Sequence, residues 1–293
     1  MSSDNNNVLK FGIPKGSLQD ATINLFDRAG YKLHVSSRSY FPTIDDPEIS
    51  CLMFRAQEMS RYIEDGVLDV GITGHDWVVE NESDVHEVCE LPYSRATSKP
   101  AKWVLAVPQE SDYHSPKDLE GGIISTELLN TTKRYFEKHG VNVKVEFSWG
   151  ATEVKARLVS GIVDITETGS SIRANKLRVI DEILVSTTRL VCSHEAWADP
   201  FKRTKIENLA LLLQGAIAAR NLVGLKMNVD RKILDDVLKM LPSETSPTVN
   251  SLVDSDWAAI EVIVEEAIER DLVPELHRLG AKGIFSYPLK KVI

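Results

Sequence analysis

Apolar positions along the chain fall into short β-branched runs that alternate with amphipathic stretches of helical period, the pattern of an α/β protein. Residues 8–13 read as a first buried strand. The turn Pro14-Lys15-Gly16-Ser17 then leads into a helix that carries Leu18, Ile23, Leu25 and Phe26 and stops at Gly30. Strands follow at 33–35 and 49–54, parted by a polar loop with Pro42 and Pro47, then a helix at 57–64 and a strand at 67–72. Thr73-Gly74 opens another helix through Trp77 and Val79. A strand at 102–107 ends at Pro108, and the polar stretch 109–116 reads as a hinge into a second α/β lobe. That lobe runs strand 122–125, helix 128–138 closed by Gly140, strand 141–147, helix 152–158 and a strand with Ile162, Val163 and Ile165. A strand at 184–191 returns and a helix at 200–219 leads away, so the second lobe is inserted in the first and a cleft between them is expected.

After Arg220 the order changes to strand 222–227, helix 231–241, strands 248–252 and 257–264, helix 272–279 closed by Gly280, and strand 283–287. This βαββαβ succession is ferredoxin-like. The expected fold is a two-lobed, periplasmic-binding-protein-like α/β region with lobe one at 1–107 and 188–220 and lobe two at 108–187. A ferredoxin-like, ACT-like domain at 221–293 completes the chain.

Composition narrows the class without changing that picture. With 43% hydrophobic and 26% charged residues, 293 residues can bury cores without staples. A net charge of -9 and the absence of a Lys/Arg run argue against a nucleic-acid partner, whose phosphates would be repelled. Cys51, Cys89 and Cys192 lie far apart without CxxC spacing, which reads as reduced buried thiols. The seven histidines form no ligand spacing, so a protein-held zinc is not expected. Residues 1–7 are polar and lack the basic and apolar segments of a secretory signal. The apolar stretch 209–219 falls short of the about 20 residues that span a bilayer. A soluble, cytoplasmic protein without a membrane partner is therefore expected.

The chemistry concentrates at Asp164-Ile165-Thr166-Glu167-Thr168-Gly169-Ser170-Ser171, a strand end, a hydroxyl-rich turn and a helix start. Unpaired N–H groups at such a start accept an anion, and Gly169 lets a bulky one approach. Asp164 and Glu167 would repel a polyphosphate but suit sugar hydroxyls, so the turn reads as a site for a phosphorylated ribose, or else as an ordinary N-cap. Lys15 at a strand-to-helix turn, with Arg38 and Arg55 at strand exits, could grip a diphosphate or be solvated surface charge. Thr73-Gly74 is a second candidate anion turn.

These residues resemble the ATP phosphoribosyltransferase family. Glu153 with the 164–171 turn looks like its phosphoribosyl-pyrophosphate loop, and Pro14-Lys15-Gly16, Leu52-Met53-Phe54-Arg55-Ala56, Asp69-Val70-Gly71-Ile72-Thr73-Gly74 and Trp197-Ala198-Asp199-Pro200 are similar to its long, regulated form. The family usually has Gly-Arg after the lysine and a glycine between the glutamate and the loop aspartate, where this chain has Ser17 and residues 157–159. The resemblance implies transfer of the phosphoribosyl group of 5-phosphoribosyl 1-pyrophosphate to N1 of ATP with Mg2+, feedback inhibition by histidine, and a homo-oligomer from dimer to hexamer. It implies catalytic roles for Lys15, Arg38 and Arg55, phosphoribosyl-pyrophosphate contacts from Asp164, Thr166, Glu167, Thr168, Gly169, Ser170 and Ser171, and ATP contacts from Gly16, Thr73, Gly74 and Glu127. Histidine is expected at Pro247, Thr248, Gly283 and Ile284, although a domain that only assembles subunits has the same element order. A two-lobed anion-binding protein without chemistry is the alternative for the first two lobes. An amino-acid sensor would leave them unexplained.

Overall fold

The computed structural model of the chain describes residues 8–36, 39–93, 100–242 and 246–293. Residues 1–7 and Arg38 lie outside it. The chain divides into two compact units, Met1–Asp27 with Tyr31–Ala210, and Arg28–Gly30 with Leu211–Ile293.

In the first unit, lobe one comprises β1 (Leu9–Lys15), α1 (Gln19–Ala29), β2 (Leu33–His34), β3 (Thr43–Ile44), β4 (Ile49–Arg55), α2 (Ala56–Glu64), β5 (Val70–Gly74), α3 (His75–Asn81) and β6 (His86–Glu90). Lobe two comprises β7 (Ala101–Pro108), β8 (Ile123–Thr126), α4 (Leu129–His139), β9 (Lys144–Phe147), α5 (Thr152–Lys155), β10 (Gly161–Thr166), α6 (Ser170–Ala174) and β11 (Leu177–Ser186). The chain then returns to lobe one as β12 (Thr188–Cys192), followed by α7 (His194–Ala198) and α8 (Pro200–Ala218), of which the residues up to Ala210 belong to this unit.

The first sheet has the order β4-β1-β5-β12-β6 and the second β11-β7-β10-β8-β9. In each, three parallel strands are followed by one antiparallel strand that the chain delivers from the other lobe, β12 in the first and β7 in the second. Both faces of β7 are covered: Trp103, Leu105 and Val107 pack in one cluster, Val104 and Ala106 in another. Such a continuous apolar run is what a strand buried on two sides requires.

That run also explains two corrections. Lobe one was expected to include residues up to 107, yet β7 pairs in the second sheet, because a strand apolar on both faces carries no mark of the sheet it will join. The crossovers between lobes therefore fall between Glu90 and Ala101 and at Thr187, and not at 109–116. The single strand expected at 184–191 is two, β11 in one sheet and β12 in the other, parted by Thr187 alone. β6, with the sequence His-Glu-Val-Cys-Glu, was not anticipated.

In the second unit, β13 (Leu222–Asp230), α9 (Leu234–Met240), β14 (Thr248–Ser251), β15 (Trp257–Glu265), α10 (Glu266–Leu279) and β16 (Lys282–Pro288) form an antiparallel sheet of order β14-β15-β13-β16. This is the ferredoxin-like order expected. β15 alternates strictly between buried and half-buried positions up to its last residue, and Ile260, Val262 and Val264 meet Leu225, Met227, Val229, Val237, Leu272 and Leu276 in one core. α10 begins six residues earlier than the apolar pattern suggests, because Glu266 and Glu269 favour a first helical turn electrostatically while hiding its period.

Candidate active site

A cavity of about 1260 Å³ in the first unit is walled by the carboxyl ends of strands from both sheets. Lobe one contributes Lys15, Gly16, Arg55, Gly74, Asp76 and Trp77, and lobe two contributes Ile165, Thr166, Glu167, Thr168, Ser170 and Ser171. The end of β11 adds Ser186, and the crossovers add Tyr93 and Thr187. Ligands of open α/β sheets collect at such strand ends.

On the lobe-one side, the parallel register of β1 and β4 sets Lys15 directly beside Arg55. Two cations at adjacent strand ends concentrate positive potential at this point of an acidic protein. The Lys15 ammonium stands 3.7 Å from the centre of the Tyr40 ring, and its hydrogen bond, then its charge, hold the exposed Tyr40 phenol below its ordinary range. The sequence had not marked Tyr40, which stands in an irregular loop without periodicity.

Across the cavity, β10 delivers the hydroxyl-rich turn. Gly169 adopts a left-handed conformation with φ 72°, and its N–H donates to the Thr166 hydroxyl at 2.8 Å. The Thr168 hydroxyl donates to that of Ser170 at 3.0 Å. Helix α6 has only five residues, so its dipole is small. The capacity to hold an anion rests instead on the first N–H groups, which have no partner within the helix, and on the Thr and Ser hydroxyls around them.

An acidic group stands beside this turn. Burial pushes the Asp164 carboxyl up to about 7, and the charges of Glu153 and Glu127 add to the shift, while the N–H of Ile165 donates to Asp164 at 2.9 Å and opposes it. Burial also raises Glu127, against a hydrogen bond from Gln57 and the charges of Lys155 and Arg55. Glu167 lines the cavity, and Asp164 and Glu127 are half-buried and close enough for their charges to interact. Among the described residues no group of three or more His, Cys, Asp or Glu side chains could hold a metal ion.

The structure separates some residues that the sequence had joined. Thr73 is fully buried and donates to the carbonyl of Ala56 at 2.7 Å, so it ties β5 to the start of α2 and does not reach the cavity. In the second unit, Pro247 and Thr248 belong to β14 and its approach, whereas Gly283 and Ile284 belong to β16. These strands are the two opposite edges of the sheet, so the four residues do not form one site within a single chain.

A family model described as ATP phosphoribosyltransferase matches residues 55–215, more than half of the chain. The chain belongs to the ATP phosphoribosyltransferase family. It is 54% identical to the ATP phosphoribosyltransferase of Chlorobium chlorochromatii over 99% of both chains. It is 56% identical to that of Desulfosudis oleivorans over 98% of this chain and 99% of the other. Among solved structures, the ATP phosphoribosyl transferase (HisG:HisZ) complex from Thermotoga maritima matches with a TM-score of 0.62 and 30% identity, covering 72% of this chain and 99% of that one. A second model, the C-terminal domain of the family, matches residues 219–291, which contain the ferredoxin-like sheet. As an ATP phosphoribosyltransferase the protein is a transferase that performs the first step of histidine biosynthesis, with ATP and 5-phosphoribosyl 1-pyrophosphate as substrates. Among the described residues no helix is long and apolar enough to cross a membrane.

Proposed function

We propose that the cavity holds 5-phosphoribosyl 1-pyrophosphate across its width, and that N1 of ATP attacks the anomeric carbon and displaces pyrophosphate. The observation that carries this reading is the pairing of the N–H and hydroxyl groups at 168–171 with the Lys15 and Arg55 cations, which line the same cavity from the other lobe. A 5'-phosphate suits the turn, and a diphosphate leaving group suits the cations. Glu167 and Asp164 accept the ribose 2'- and 3'-hydroxyls, with Glu127 on the ATP side next to Gln57. Arg38 belongs to the same diphosphate role. The ring nitrogen that attacks has a free lone pair, so no strong general base is demanded. Lys15 and Arg55 stabilise the charge that grows on pyrophosphate as the bond to the anomeric carbon breaks. The donor set of the described residues does not fit a resident metal. Mg2+ therefore enters as part of the substrate, chelated by its diphosphate.

The second unit is the regulatory part of this reading. Because its proposed histidine contacts lie on opposite sheet edges, a complete histidine site needs two chains, with β14 of one facing β16 of another. A homo-oligomer, dimer to hexamer, working in the cytoplasm follows from the same reading. Pyrophosphate release from ATP and 5-phosphoribosyl 1-pyrophosphate tests the reaction, and repeating it with histidine tests the regulation. Release that histidine slows is the expected result; no release sinks the reaction, and release indifferent to histidine sinks the regulatory role.

A further inference from the structure

Helix α3 belongs to lobe one, yet its two buried carboxylates are bonded to lobe two. Glu80, 7% exposed, reaches the first turn of α4. It accepts the N–H groups of Asn130 and Thr131, each at 2.9 Å, and the Thr131 hydroxyl at 2.8 Å. The residue before α4 is Leu128, which offers no side-chain cap, so the capping oxygen comes from the other lobe. The same joint is closed from the α4 side, where Asn130 donates to the Glu80 carbonyl at 3.1 Å and Arg134 donates to the Val79 carbonyl at 2.8 Å and to Glu82. At the start of α3, Asp76 accepts Trp103 Nε1 from β7 at 2.7 Å and the Ser186 hydroxyl from β11 at 2.9 Å. A seven-residue helix is thus fastened to the second lobe at both ends.

Two lobes joined only by chain crossovers can hinge, and their strand ends then have no fixed separation. We infer that α3 is a brace between the lobes that fixes the distance from Lys15 and Arg55 to the 166–171 turn, with Glu80 as its positioning residue. Glu80 is not part of the cavity wall, so its effect on substrate is exerted through the spacing of the two lobes. The inference rests on the proposed reading that one substrate spans both walls.

Two ligands separate spacing from local damage. Ribose 5-phosphate reaches only the turn of lobe two, whereas 5-phosphoribosyl 1-pyrophosphate reaches both lobes. Calorimetric titration of the full chain carrying Glu80→Ala should leave ribose 5-phosphate affinity unchanged within about twofold and weaken phosphoribosyl pyrophosphate by about tenfold or more, since misplacement of about 1 Å can remove far more. KM should rise by more than kcat falls. Glu80→Gln, which keeps one accepting oxygen, should recover part of the loss. Equal weakening of both ligands would make Glu80 a folding residue of lobe two, and unchanged phosphoribosyl-pyrophosphate affinity would leave nothing for a brace to position; either overturns the inference. A ligand-free readout judges the brace if the unaltered protein binds neither ligand, an outcome that counts against the proposed function alone. Spin labels at Asp20→Cys and Glu137→Cys, in a Cys89→Ser background with labelled chains diluted among unlabelled ones, should give an interlobe distance distribution that broadens on Glu80→Ala. An unbroadened distribution rejects the brace.

Discussion

Two turns of this molecule share the dipeptide Thr-Gly at a strand-to-helix junction and differ in the pair of residues directly after it. Thr73-Gly74 is followed by His75-Asp76, and Thr168-Gly169 by Ser170-Ser171. At the first turn every early N–H of α3 is occupied: His75 donates to the Thr187 carbonyl at 2.9 Å, Asp76 to the Ser186 hydroxyl at 3.1 Å, and Trp77 to the Asp76 carboxylate. Asp76 is 3% exposed, and burial raises its carboxyl above the ordinary range. The turn is closed by Thr187 and Ser186 together with its own Asp76 side chain. At the second turn the residue two places after glycine is Ser171, which has no charge with which to close the helix start, and the turn opens on the cavity. A site for an external anion thus depends less on glycine than on whether groups of the protein already occupy the first N–H groups of the helix.

The largest expected effect tests the closed turn. Asp76→Ala leaves Trp103 and Ser186 without a buried partner, and unsatisfied groups of this kind cost about 1 to 3 kcal/mol each. A fall in Tm of several degrees, by calorimetry, is expected. Gly74→Ala should act in the same direction, because its Cβ would lie 2.0 Å from Asp76 Oδ1. Tm values unchanged by both substitutions would remove the distinction between the turns.

Next in size is the acidic shoulder of the open turn. Loss of a charge-assisted hydrogen bond, worth about 1.5 to 3 kcal/mol, should lower kcat/KM of Asp164→Asn about ten- to a hundredfold. Stability should not fall with it. The folded carboxyl, at about 7, lies above its ordinary 3.8, so the native protein keeps a proton that the unfolded chain releases. The contribution of Asp164 to stability is therefore complete below pH 3.8 and is lost as pH rises to about 7. At pH 8 the Asn variant should melt at the same temperature as the unaltered protein or above it, and a lower Tm would show that Asp164 serves the fold.

Arg55→Ala comes third. If Arg55 meets charge that develops on the leaving group, kcat falls by about tenfold. A rise in KM at constant kcat would assign it ground-state binding alone. The smallest effect is a slope. Ionised Asp164 accepts a ribose hydroxyl more strongly than the protonated acid does, so log kcat/KM for phosphoribosyl pyrophosphate should rise with pH up to about 7 and level off, and Asp164→Asn should abolish the rise. An identical profile in the variant assigns the titration to another group.

The contrast between the turns also marks how far the sequence could be read. The β10–α6 turn was legible because its hydroxyls, its glycine and its shoulder acids are consecutive, and local order was enough. Lys15 and Arg55 were legible as strand-exit cations, but their adjacency comes from the β1–β4 register. Asp76 and Glu80 gave no signal. Each reads as an ordinary acid on a short helix, and only the return of β11 and the approach of α4 bring their partners across distances of 110 and about 50 residues. Thr73 was misread for the related reason that a threonine at a strand end can as well face the α2 backbone as the cleft. The ferredoxin-like order was legible in the second unit, whereas the placing of its proposed histidine contacts on opposite edges needed the sheet order.

The most direct test of the difference between the turns is a crystal structure with 5-phosphoribosyl 1-pyrophosphate bound. The account predicts the 5'-phosphate against the N–H and hydroxyl groups of Thr168, Gly169, Ser170 and Ser171, the ribose hydroxyls on Glu167 and Asp164, and the diphosphate toward Lys15 and Arg55. A phosphate at the Thr73-Gly74 turn, with Asp76 displaced to admit it, would contradict it.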